Sequence, residues 1–86
     1  MLSFDLPFDG RVAEMIRHKL DAGILPAEAA ALVWSGHGTG QPCVVCDQPI
    51  VGAQTEYEAQ YDDRPAIRFH FRCHRLWREE LRRRDH

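Results

Sequence analysis

A chain of 86 residues with a formal net charge of −2 and three cysteines describes a small single unit whose core alone supplies little stability, so a staple is expected. The odd cysteine count excludes a complete disulfide framework and predicts a reducing compartment, the cytoplasm. No apolar run approaches the roughly 20 residues of a membrane span, and the first nine residues lack the basic start and long apolar stretch of a signal peptide.

In chain order, Phe4, Leu6 and Phe8 alternate with polar or small neighbours, and residues 1–8 are expected to form either an extended arm or a frayed terminus. Asp9 is a plausible N-cap for a helix to about Ala22, with Val12, Met15, Ile16 and Leu20 on one face and Gly23 as its stop. Pro26 then stands where a first helical residue belongs, and the alanine-rich run to Trp34 predicts a second helix. The two helices form an αα-hairpin over residues 1–35 that buries Leu20, Ile24, Leu25, Leu32, Val33 and Trp34.

Gly36, Gly38 and Gly40 punctuate a linker over residues 36–42. A phosphate loop is not expected, since no strand is predicted before them, no helix after them and no Lys-Ser/Thr follows. His37 has no acidic or thiol neighbour in sequence to share a second metal with.

Beyond the linker, Thr55 to Tyr61 alternates as a half-buried strand, Asp62 to Pro65 turns, and Ala66 to Phe71 alternates again with Ile67, Phe69 and Phe71 on one face. Glu56 and Glu58 could meet Arg68 or Arg72 across this hairpin, although solvated charge is the simpler expectation. From about Arg72 a helix carries Cys73, Leu76, Trp77 and Leu81 in one stripe and Arg72, Arg75, Arg78, Arg82 and Arg83 on the other side. Glu80 falls within the apolar stripe. The core is expected to end before it, leaving Glu80 to pair with Arg84 at i,i+4; a hydrogen bond to a metal-ligating His70 or a clamp on an arginine of the hairpin is the competing role.

All three cysteines lie in one string, Cys43-x2-Cys46-x23-His70-x2-Cys73. A two-residue spacer lets both donors of a pair reach one ion, so the two pairs predict a closed Cys3His site for one structural zinc. His74 competes with His70 as the fourth ligand but lacks the paired spacing. A thioredoxin-like redox pair would have to open a helix, whereas Pro49 and Gly52 follow Cys46.

Knuckle, hairpin and a helix whose first turn delivers two ligands: this order resembles the treble-clef zinc finger, and the ligand string resembles the first zinc site of a LIM domain. The resemblance spans Cys43 to about Arg83 of a module over residues 43–86, without the second cysteine-rich site of a LIM domain, and the whole layout also looks like that of small bacterial proteins. Together with the αα-hairpin read from residues 1–35, it implies an α+β zinc-stabilised domain, residues 1–86 making one compact unit.

Charge is unevenly divided: residues 1–63 sum to −7 and residues 64–86 to +5. This predicts either an interaction face on the arginine helix or pairing between the two halves. Four protein ligands leave zinc no open position for a catalytic water, so the chain is expected to be a non-enzymatic module for a protein partner or a second copy. The alternative is nucleic-acid binding through Arg72, Arg75, Arg78, Arg82 and Arg83. A redox sensor, or a nuclease using His74 with Glu79 or Glu80, ranks behind both.

Overall fold

The computed structural model describes residues 5–85, with side chains from Asp9 onward. Helix α1 spans Asp5–Asp21, strands β1, β2 and β3 span Leu32–His37, Thr55–Gln60 and Ile67–His70, and helix α2 spans Phe71–Arg84. The strands form one antiparallel sheet in the order β1-β2-β3.

Helix α1 begins earlier than Asp9, and residues 5–8 are its first turn rather than an arm; Met1 to Phe4 lie outside the described residues. Pro7 is tolerated there because the first-turn N–H groups have no intrahelical acceptor. The C-terminus is a Schellman turn. Gly23, at φ +77°, sends its N–H to the Leu20 carbonyl, and Ile24 N–H reaches back to Lys19.

The second helix of the expected αα-hairpin does not form: residues 25–31 are irregular and Leu32–His37 is a strand. Two carbonyls that a helix would use for itself are taken by distant side chains. Trp77 Nε1 donates to Pro26 O at 3.2 Å and Tyr61 Oη to Glu28 O at 2.8 Å. A short alanine-rich helix is marginal without an apolar face to bury, whereas β1 completes the backbone bonding of β2. Ile24, Leu32 and Trp34 are consequently exposed, and of that expected cluster only Leu25 is fully buried.

The core lies between α1, α2 and one face of the sheet, with Val12, Ile16, Ile50, Ala59, Phe69 and Trp77 at its centre. Trp77 stacks on Phe69 at 4.8 Å. Two ion pairs set the helices side by side: Asp9 with Arg72 and Asp21 with Arg84, at 3.2 and 3.1 Å. Both partners advance by twelve residues from one pair to the next, so the helices run parallel.

Gly36 and His37 belong to β1, and Gly38 continues its bonding through an N–H to Gln54 O at 2.9 Å; the stretch is an ordered strand end where a flexible connector was expected. A Cβ on Gly38 would overlap the Val51 and Ile50 carbonyls, while one on Gly36 meets open space. Gly38→Ala is therefore expected to cost about 2–3 kcal/mol, the upper part of the range for single substitutions, and Gly36→Ala under about 0.5. Denaturant midpoints of the two variants check this, and equal midpoints would contradict it.

Candidate metal centre

Two segments build the site. Residues 40–50 fold back on themselves: Gly40 N–H donates to Ile50 O, Ile50 N–H to Gln41 O, Cys43 N–H to Gln48 O and Asp47 N–H to Cys43 O, all at 2.8–2.9 Å. Asp47 turns the chain at φ +66°. The knuckle docks on β3 through Val44 N–H to Arg68 O at 2.8 Å. The second segment is the junction of β3 and α2, where His70 is the N-cap residue and Cys73 sits in the first helical turn.

The Sγ atoms of Cys43, Cys46 and Cys73 and one ring nitrogen of His70 all lie within 4.8 Å of one another, a group that could hold a metal ion. Cys43 and Cys73 are buried and Cys46 and His70 half-buried, and no disulfide joins the thiols. Crowding separates their acidities. A hydrogen bond from Cys73, helped by backbone N–H groups of Cys46, His70 and Val45, holds the Cys43 thiol down to about 4. Cys73 is pushed up by its bond to Cys43 and by burial, and Cys46 is raised chiefly by burial.

His70 Nδ1 lies 3.3 Å from Cys46 Sγ, and Nε2 lies 3.1 Å from Gln54 Oε1. Gln54 Oε1 also accepts the Val51 N–H at 2.9 Å, which identifies it as the amide oxygen because a backbone N–H can only donate. His70 Nε2 must then carry the proton it shares with that oxygen, leaving the Nδ1 lone pair facing the sulfurs. Gln54 thus selects the tautomer that a metal needs. Sequence inspection missed it, since nothing in the spacing of a lone glutamine announces such a contact.

Lys19 was missed as well. Its Nζ donates to Val44 O at 2.8 Å and to Asp47 Oδ1 at 2.9 Å, fastening the end of α1 to the knuckle. Helix α2 has no side-chain cap and no acidic residue in its first turn. Cys73 lies in that first turn, at the positive end of the helix dipole.

His74 stands apart from the cluster, stacked on Tyr57 at 4.8 Å and edge-on to Phe69 at 5.2 Å. Its Nε2 is buried without a partner, and burial lowers its pKa. Glu80 is buried, contrary to the expected early end of the core, and binds Arg83 Nη1 at 2.7 Å and Arg84 Nε at 3.0 Å. The Arg84 pairing is the i,i+4 contact expected.

Glu56 is also buried where solvation was expected. It accepts Thr39 N and Oγ1 at 3.0 and 2.8 Å and pairs with Arg68 at 3.2 Å. The arginines expected as one contact face are dispersed: Arg72 goes to Asp9, Arg75 to Glu79 at 3.1 Å and Arg83 to Glu80. Arg78 and Arg82 line a groove of about 300 Å3 with residues 27–29. His37 is exposed in β1 and belongs to no metal-ligating group among the described residues. No helix among the described residues is long and apolar enough to cross a membrane.

No protein family, curated protein or solved structure matches the chain.

Gln54→Ala is expected to weaken metal binding about 10- to 100-fold while preserving the fold, as read by competition with a chromophoric chelator. His74→Leu removes an unpaired buried nitrogen; it should retain metal stoichiometry and match or exceed wild-type stability. Metal loss in that variant would move the fourth ligand from His70 to His74.

Proposed function

We propose that the chain is a non-enzymatic, protein-binding module held together by one structural zinc ion in a treble-clef-like scaffold. The observation that carries it is the convergence of three sulfurs and one imidazole nitrogen from two chain segments. A soft S3N donor set suits zinc, and tetrahedral bonds of about 2.3 Å to sulfur and 2.0–2.1 Å to nitrogen imply donor separations of roughly 3.5–3.8 Å. Cys46 and His70 are at 3.3 Å and the widest separation is 4.8 Å, so closing on the ion needs shifts of about 1 Å or less. With every position taken by protein, the ion organises the fold and has no site for a substrate water. Unpaired thiols fit a reducing, cytoplasmic setting.

Charge favours a protein partner over nucleic acid. Of the eight arginines in residues 64–86, Arg64, Arg68, Arg72, Arg75, Arg83 and Arg84 are paired with carboxylates. Phosphate-driven binding draws on cations that are free to displace counterions, and the −7 carried by residues 1–63 opposes it further.

Cys46→Ser, or chelation of the wild type, is expected to abolish chemical-shift dispersion of the sheet and α2, because zinc binding of roughly 10–16 kcal/mol exceeds what so small a core supplies. Retained dispersion in the zinc-free protein would sink the structural role. Affinity capture from a host lysate with and without nuclease separates the partner classes. Protein recovered equally in both supports the module, and nuclease-sensitive recovery overturns it in favour of nucleic acid.

A further inference from the structure

The sheet has two edges, and they differ. The outer side of β3 is closed by the knuckle, through Val44 N–H to Arg68 O at 2.8 Å and His70 N–H to Cys43 Sγ at 3.5 Å. The outer side of β1 has no backbone partner among the described residues. Natural edge strands are usually blunted by charge, proline or cover. Leu32–His37 carries no Lys, Arg, Asp, Glu or Pro, and Leu32 and Trp34 are 48% and 56% exposed.

The register adds a chemical preference. Trp34 pairs with Glu58 and Glu58 with Arg68, giving one row across the sheet, and Gly36 with Glu56 gives the next. The opposite face holds Tyr57 and Phe69, which pack against His74 and Trp77 of α2, so the Trp34 row lies on the face away from that helix. A hollow of about 190 Å3 lined by Trp34, Gly36, Glu56 and Glu58 opens beside the edge. One guanidinium serves both carboxylates there: Arg68 lies 3.2 Å from Glu56 and 4.0 Å from Glu58. Glu56 has two further donors from Thr39, whereas Glu58 takes Gln60 Nε2 at 3.3 Å. Two carboxylates of adjacent rows thus share one guanidinium beside an exposed indole.

We infer that the free edge of β1 receives an extended peptide segment bearing a lysine or arginine, which adds as a fourth strand and lays its cation over Trp34 and against Glu58. The inference rests on the protein-binding module proposed above and names the partner's chemistry. Backbone pairing supplies affinity that is blind to sequence, and the indole and carboxylate select a basic side chain at an alternate position. A second copy of the chain fits less well, since its β1 brings no lysine or arginine to Glu58.

The test uses the zinc-loaded full chain and two capped peptides, one alternating threonine with lysine and one alternating threonine with glutamate. The lysine peptide should shift the Trp34 indole N–H resonance and slow hydrogen exchange of the β1 amides, and the glutamate peptide should do neither. Trp34→Ala and Glu58→Gln, both with wild-type dispersion and metal content, should each weaken binding about three- to tenfold. Equal response to both peptides, shifts confined to other elements, or β1 protection that instead follows a concentration-dependent dimer overturns the assignment. Protein capture unaffected by Trp34→Ala overturns it while leaving the module standing; full dispersion without zinc overturns the module's metal staple alone.

Discussion

The fold is organised around one convergence. Cys43 and Cys46 meet His70 and Cys73 within 4.8 Å, and the 23 residues between Cys46 and His70 must be ordered before they do. Loop closure of that length is entropically costly. The chain spends the intervening residues on β2, β3 and their turn, so the sheet that brings the donors together also supplies the core with Ala59 and Phe69. The knuckle then serves twice, giving two sulfurs and closing the outer edge of β3 through Val44.

What could be read from sequence was what is local or strictly spaced. Paired two-residue spacers announce the donors; alternation announces β2 and β3; a helical stripe announces α2 and puts Cys73 and Trp77 on its buried side. Strand β1 was not legible. Its residues neither alternate nor bury more than Val33 in part, and the alanines before it favour helix on propensity alone. Strand identity came from outside, from the unmet hydrogen bonds of β2 and from the two side chains that take the Pro26 and Glu28 carbonyls. Gln54 and Lys19 were invisible for the same reason, as each acts through a partner far away in sequence.

The uneven charge of the two chain halves resolves largely inside the molecule. Asp9 with Arg72, Asp21 with Arg84, and Glu56 with Arg68 each cross the division. The exposed pairs are worth little in energy, about 0.2–1 kcal/mol each, but they are selective. Parallel helices give no help from their dipoles, and a slip of one turn would place Asp9 and Asp21 opposite the wrong residues of α2. Position, more than stability, is what these pairs contribute.

Glu80 extends the same logic into the core. A carboxylate at 6% exposure would be costly alone, yet Arg83 and Arg84 grip one oxygen each. Arg84 also reaches Asp21, so the buried acid, the last turn of α2 and the end of α1 form one chain of contacts. Replacing such a group by an apolar side chain of similar volume can be neutral for stability. Its consequence here is geometric: Arg84 is held between two acids from different helices. The last turn of α2 is thereby fixed to α1 at the end away from Cys73, while Arg72, through Asp9, fixes the first.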